Sequence, residues 1–387
     1  MLVLKIIQII LVAYLGFATL YIFMFGFASL FRTPKRKATI SKMRKYAVLI
    51  PGYKEDQVIV EVAKDATKQD YPTDMYDVIV IADSFKKTTL DSLRKLPIQV
   101  IEVSFDLSTK SKALNTAMGQ LSDIYDVALV LDADNLMETD FISKINTAFD
   151  KGYIAVQGHR IAKNYNTPFA ILDAISEEVN NKIFRKGHRV LGFSAALIGS
   201  GMAMDYNYFK SMMKSIKAVG GFDKEIELKM LKEKIQIEFL NDAIVLDEKV
   251  QKAEVFTNQR KRWISAQLHY FSMDFFSSLK HLILHGNYDY FDKALQFIQP
   301  PRVMLLGLLI LFNLISIFIN SPVWIYIWLG ILAMCILTFI FTIPVKFYNI
   351  KTIKAIFTLP KAFLLMFLSL LSIRGANKKF IHTEHGT

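Results

Sequence analysis

The sequence is almost without cysteine. Its one thiol, Cys335, excludes an intrachain disulfide and any cysteine-based metal site. The 7 histidines show no metal-ligand spacing, so a zinc centre has no ligand set to draw on. No zinc knuckle, helix-turn-helix pattern or aromatic–basic sheet motif is present, which leaves the net charge of +12 without a nucleic-acid reading. No internal repeat and no low-complexity linker interrupts the 387 residues. Acidic residues are the minority charge, 35 against 47 basic ones.

What is present is apolar sequence, in blocks. Residues 6–31 carry no formal charge, and Arg32, Lys35, Arg36 and Lys37 follow at once. At ~1.5 Å per residue such a run spans a bilayer core of ~30 Å. A cleaved signal peptide fits less well, because the run is long, lacks a small-x-small site and ends in a basic cluster. Two further apolar runs cover 303–318 and 323–343, and a third, 355–373, is interrupted by Pro360 and Lys361. Basic residues flank these blocks, where anionic lipid head groups attract them.

The positive-inside rule places 32–44 in the cytoplasm and the N-terminus outside. The segment 345–354, with Lys346, Lys351 and Lys354, then belongs inside as well. A full span over 355–373 would export Arg374, Lys378 and Lys379, so an amphipathic or re-entrant segment is expected there. The expected organisation is a membrane helix over 1–31, a cytoplasmic domain over 32–270 and amphipathic interface helices over 271–302. Two membrane helices over 303–344 follow, then a cytoplasmic interface or re-entrant helix and polar tail over 345–387. That describes a multi-pass protein of the cell (inner or plasma) membrane.

The middle alternates short apolar runs with helical stretches. Strands are expected at 46–51, 76–83, 98–103, 126–134 and 154–160, and helices near 56–69, 87–95 and 110–122. "IGSGMAM" (198–204) reads as a strand after a small-residue turn, with Gly199 and Gly201 allowing close backbone approach. The fold class is α/β: a Rossmann-like domain with a mostly parallel sheet, covered by helices on both faces and inserted between membrane helices.

The stretch "DVALVLDADN" (126–135) ends an apolar run in two carboxylates, Asp132 and Asp134. In a strand, alternate side chains share a face, and two like charges that close call for a cation or donors between them. A turn or helix cap is the plainer reading of either Asp. Parallel sheets bind ligands beyond the carboxyl ends of their strands. There the first strand ends in Pro51-Gly52-Tyr53-Lys54-Glu55, the second in Asp83 and the fourth in the Asp pair. The pair would hold Mg²⁺ or Mn²⁺, and the cation would grip a diphosphate. His159, Arg160 and Lys163 reach the same edge from the fifth strand.

The set "PGYKED" (51–56), "IADS" (81–84), "KSKALN" (110–115), "DAD" (132–134), "GSGMAM" (199–204) and "QRKRW" (259–263) resembles the membrane-embedded processive branch of glycosyltransferase family 2, which includes cellulose, chitin and hyaluronan synthases. The resemblance implies inverting transfer from a nucleotide-diphosphate sugar to a glycan or lipid acceptor hydroxyl, with repeated addition. It implies that Asp83 contacts base or ribose, with Pro51, Tyr53 and Glu55 beside the nucleotide. Lys110 meets the donor (Lys112 is the neighbouring candidate), Asp132 the nucleotide and Asp134 the metal. Gln259 and Arg262 lie beside the diphosphate, Trp263 under the acceptor sugar, and Gly199, Ser200 and Gly201 along the acceptor site.

The family's acidic base motif is altered here to "GGFDKEIELKML" (220–231). Register with "IEL" puts the base on Glu225, with Asp223 and Glu227 as alternatives; a Glu there would take the acceptor hydroxyl's proton. Few spans are expected, so a homo-oligomer or accessory export subunits would complete a channel. Transfer of one sugar to a polyprenyl-phosphate or other lipid carrier is the rival reading. A non-catalytic nucleotide-binding membrane protein is the third.

Overall fold

The computed structural model describes residues 2–371 except 35, 217, 219, 252, 320 and 321. The expected polar tail, with Arg374, Lys378 and Lys379, lies outside the described residues. Among the described residues the strands are β1 (Tyr46–Tyr53), β2 (Tyr76–Asp83), β3 (Gln99–Val103), β4 (Val127–Val130), β5 (Leu136–Met137), β6 (Ala155–Ala162), β7 (Met202–Asp205) and β8 (Glu238–Asp247). They form one sheet in the order β3-β2-β1-β4-β7-β6-β8-β5. The pairings make β1, β2, β3, β4, β6 and β8 run one way, with β7 and β5 against them.

The central strands are buried on both faces, which is why they read as unbroken apolar runs rather than alternations. Their period of two still sorts the side chains. Ala47, Leu49, Ile79, Ile81, Ala128 and Val130 pack with Leu114, Ala117 and Met118 of the helix Lys110–Gln120. Val48, Ile50, Val78, Val80, Val127 and Leu129 pack on the other face, with the helices Ile59–Ala66 and Phe141–Asp150.

Pro51 sits inside β1, a central strand, where a missing N–H would ordinarily break a ladder. Leu49 offers its carbonyl to β4 and the Lys54 amide bonds β2, so the alternation puts residue 51 on the β4 side. The β4 ladder has already ended, at Leu49 opposite Val130. With no N–H to carry the ladder past the bond from the Leu131 amide to the Leu49 carbonyl, the proline marks where the sheet opens.

Among the described residues, two helices are long and apolar enough to cross a membrane, Lys5–Ala28 and Pro322–Thr342. Two bent pairs would raise that to four if each is one span: Tyr288–Phe297 with Arg302–Phe318, at 63°, and Ile350–Ile356 with Leu359–Leu370, at 44°. The bend in the second pair falls next to Pro360, as expected of a helix that proline interrupts. The expected division at residue 270 falls inside a single 33-residue helix, Ala253–His285. It carries the "QRKRW" stretch at one end and Lys280, His281 and His285 at the other.

The first helix is keyed into the α/β domain. The Tyr21 hydroxyl donates to Asp292 at 2.6 Å, and Phe25 stacks on the His188 ring at 3.6 Å. Beside them, a Cβ on Gly187 would come within 2.0 Å of the Phe25 carbonyl oxygen. Backbone cannot yield as a side-chain tip would, so Gly187→Ala is expected to destabilise the protein by roughly 3 kcal/mol or more. A fall in the unfolding temperature of the detergent-purified protein is the readout, and an unchanged one would refute the close packing of this helix.

Candidate functional site

β4 leaves the ladder at Val130. The Leu131 amide still bonds the Leu49 carbonyl at 3.0 Å, and residues 132–135 then turn, closed by the Asn135 amide on the Asp132 carbonyl at 3.1 Å. Asp132 and Asp134 are thus turn residues, and strand alternation does not set their direction. A third carboxylate meets them. Asp247 ends β8, which runs parallel to β6 and delivers its last residue to the same edge. One oxygen from each of Asp132, Asp134 and Asp247 lies within 4.8 Å of the others.

The cluster is braced from below. The Asn135 side-chain amide donates to Asp247 at 3.0 Å and to Asp134 at 3.2 Å, and the Glu248 backbone amide donates to Asp134 at 3.0 Å. Lys249 pairs with Asp247 at 2.6 Å, while Arg160 reaches Asp247 at 3.4 Å and Asp132 at 3.7 Å. Burial alone would push the Asp247 carboxyl up. Arg160 and Lys249 outweigh it and hold the group below the usual carboxylate range. Three converging carboxylates form an all-oxygen donor set suited to a hard divalent cation.

Above the cluster opens a cavity of about 730 Å³. Pro51, Tyr53, Glu55, Asp83, Lys110 and Asp132 line it from the sheet side, and Gln259, Arg262 and Trp263 from the helix Ala253–His285. Lys54 and Ser84, the residues next to the ends of β1 and β2, have φ of 56° and 60°. Non-glycine residues held there carry backbone strain of the kind found beside ligand sites. Lys110 ion-pairs with Asp132 and donates to the Gly199 carbonyl at 2.7 Å. Lys112 instead points outward, donating to the Leu107 carbonyl at 2.8 Å. Of His159, Arg160 and Lys163, Arg160 lines the cavity, while His159 is taken up by Glu178 at 3.0 Å.

A second chamber of about 520 Å³ shares Lys110, Asp132, Arg262 and Trp263 with the first. Gly199 lines it; Ser200 and Gly201 do not. Ser200 is wholly buried, accepting from the Asp132 amide at 2.9 Å and donating to the Asn135 side-chain oxygen, so it props the turn. Gly201, at φ 59°, would set a Cβ 3.1 Å from Val245. The helix Phe222–Lys232 begins after Gly221, whose left-handed backbone turns the chain into it. That start brings Asp223 to the chamber wall, 3.2 Å from the Lys224 ammonium. Glu225 lies a half-turn on, pairs with Lys229 at 2.9 Å and lines neither space. Glu227 is buried, paired with Lys293 at 2.6 Å. Burial would discharge Lys224, but Asp223 and Glu227 more than offset it and raise its pKa.

Along the helix Ala253–His285, Arg260 is sandwiched by Phe256 at 4.8 Å and Trp263 at 4.3 Å and pairs with Asp173. Gln259 has a buried side-chain oxygen with no partner, and burial pulls the Arg262 guanidinium down from its ordinary value. Asp247 is the residue that sequence reading missed. Its signal was present: "AIVLD" (243–247) is an apolar run ending in Asp, as in "VIVIAD" and "VALVLD".

A family model described as glycosyltransferase like family 2 matches residues 44–266. The probable glycosyltransferase YdaM of Bacillus subtilis is 24% identical over 250 residues, 59% of this chain and 57% of YdaM. The beta-monoglucosyldiacylglycerol synthase of a Nostoc species is 23% identical over 230 residues, 56% of this chain and 47% of the synthase. The chain thus spans about half the length of these curated relatives. Among solved structures, the mannosyltransferase PcManGT from Pyrobaculum calidifontis, in complex with GDP-Man and Mn²⁺, superposes with a TM-score of 0.56 at 16% identity. The match covers 87% of this chain and 99% of that one. At that identity the likeness speaks for the fold: a nucleotide-sugar transferase's curled α/β sheet. The chain belongs to glycosyltransferase family 2.

Proposed function

We propose that this protein is a membrane-bound inverting glycosyltransferase. The observation that carries this reading is the convergence of Asp132, Asp134 and Asp247 at the floor of a cavity that opens into a second chamber. In this reading the first cavity takes the nucleoside diphosphate sugar, with Asp83 and Glu55 toward the nucleoside. The three carboxylates hold Mg²⁺ or Mn²⁺ against the diphosphate, as the Mn²⁺ bound with GDP-Man in PcManGT suggests. Bound there, the cation would neutralise charge on the leaving group.

Lys110 and Arg262 add fixed positive charge beside the same group, and Arg suits an anionic oxygen pair. The acceptor hydroxyl enters from the second chamber, with Trp263 as a flat platform at the junction. Asp223, on the chamber wall, takes its proton as the oxygen attacks the anomeric carbon. The basic residues after the first helix and the two apolar helices support a cytoplasmic catalytic domain on a multi-pass anchor. The Gln259-x-x-Arg262-Trp263 pattern supports repeated addition.

Two measurements on purified membranes test this. Incubation with a panel of UDP- and GDP-sugars is expected to release nucleoside diphosphate only with Mn²⁺ or Mg²⁺ present, and metal-independent release would refute the role of the acid cluster. Product length with labelled donor separates repeated from single addition.

A further inference from the structure

The second chamber is lined by several cationic side chains and by a stretch of apolar wall. Arg185, Arg260, Lys293 and Arg302 line it. Three of these have carboxylate partners: Arg185 has Glu177 at 3.5 Å, Lys293 has Glu227 at 2.6 Å, and Arg260 has Asp173. Arg302 differs. Its contacts are the Ser176 hydroxyl at 3.3 Å and the face of Phe184 at 5.6 Å, and among the described residues no carboxylate stands within ion-pair distance of it. Glu177 acts on it only from beyond that distance and is already shared by Arg160, Arg185 and Lys249, and a half-buried guanidinium so poorly compensated is costly unless an anion is supplied from elsewhere.

Gln299 makes a second, independent observation. It is 7% exposed and lines the same chamber, yet neither its side-chain nitrogen nor its oxygen has a partner. The Arg260 Nε is also unpartnered. Buried polar atoms are normally satisfied, so these point at something that fills the space.

The apolar wall is Val303 with Ala362 and Met366, the last two from the helix Leu359–Leu371. The other face of that helix turns outward, with Leu364 at 55% and Leu368 at 51% exposed. The helix is thus apolar both toward the chamber and toward the outside.

Resting on the glycosyl-transfer reading above, we propose that the second chamber receives an amphipathic acceptor: a lipid with a phosphate in its head group, next to the hydroxyl that is glycosylated. Arg302 faces the phosphate, Gln299 hydrogen-bonds the head group, and the tail lies along the helix Leu359–Leu371. A bare glycan would use hydroxyl partners and ring platforms, and would leave Arg302 without its anion. In the transfer step, the acceptor oxygen forms the new bond to the anomeric carbon. The bond from that carbon to the diphosphate oxygen breaks, its electron pair leaving with the nucleoside diphosphate, and the hydroxyl proton passes to Asp223.

The test uses the full chain in detergent with Mn²⁺ and a fixed nucleotide sugar. The acceptor arms are phosphatidylglycerol, a polyprenyl-diphosphate-linked sugar, neutral diacylglycerol and a free oligosaccharide. Turnover is expected to favour one of the two phosphate-bearing lipids, and which one identifies the source of the phosphate. Arg302→Gln is expected to raise KM for that lipid roughly tenfold, with KM for the donor moving less than twofold. Arg302→Lys, which keeps the charge, is expected to recover most of the loss and guards against misfolding. Equal use of the neutral lipid or the oligosaccharide would overturn the proposal, as would an unmoved KM in Arg302→Gln; transfer itself would stand in either case. No donor turnover with any acceptor would instead overturn the transfer reading, and this proposal with it.

Discussion

Asp134→Asn is expected to abolish metal-dependent release of nucleoside diphosphate, by roughly a hundredfold or more. The residue is 3% exposed and held by the Glu248 amide at 3.0 Å, so an asparagine can keep that hydrogen bond while losing the charge. The fold should therefore survive, and the loss should be one of cation affinity. Loss of the free Mn²⁺ EPR signal on titration with protein reads that directly. Asp247→Asn is expected to weaken Mn²⁺ binding as well, but with a structural component. Asp247 is one of two carboxylates facing the buried Lys249, the other being Glu177 at 3.5 Å. Removing one acid from that set leaves charge less well compensated, at a cost of order 3 kcal/mol. Unchanged Mn²⁺ affinity in both variants would remove the acid cluster from the mechanism.

The contrast between those two residues also marks what could be read from the chain alone. β1 and β2 lie almost where their apolar runs end, because a strand buried on both faces writes itself as an unbroken run. The carboxyl ends of β2 and β4 point to Asp83 and to the Asp132–Asp134 pair from the sequence alone. β8 was not legible. Its pairing with β6 slips between Gly158 and His159, so Gly158 opposes Leu240 while His159 opposes Ile244. The residues looped out at that slip include Asn241 and Asp242, and they read as a turn. A strand split in this way shows neither alternation nor a full apolar run, and Asp247 was lost with it.

The DAD turn was legible as a candidate site but not as a shape. Strand alternation predicted a shared face, whereas the observed convergence comes from a turn and a second strand end. The long helix Ala253–His285 hid its own continuity, because the sequence offers no sustained helical periodicity across residue 270. Ser200 was legible only as part of a glycine-flanked turn. Whether such a hydroxyl faces a ligand or supports the turn beneath it is decided by the backbone of neighbouring segments, here Asp132 and Asn135.

The same limit separates Glu225 from Asp223, and the last prediction turns on it. Sequence register aligned the base with Glu225 through the following "IEL". The helix Phe222–Lys232 starts from the left-handed Gly221, and residues two apart on a helix do not share a face. Asp223 consequently meets the chamber, within 3.6 Å of where a Gly199 side chain would be, and Glu225 turns to Lys229. Asp223→Asn is expected to lower kcat by roughly 10²–10⁴-fold with donor KM nearly unmoved, the pattern of a lost proton acceptor. Asp223→Glu should recover part of it, since the carboxylate remains and only its reach changes. Glu225→Gln, which breaks a half-buried i,i+4 pair, should cost under ~1 kcal/mol in stability and less than about tenfold in kcat. The reverse ranking, with Glu225→Gln inactive and Asp223→Asn active, would return the base to the register position. It would then require the first turn of this helix to rotate when the acceptor binds.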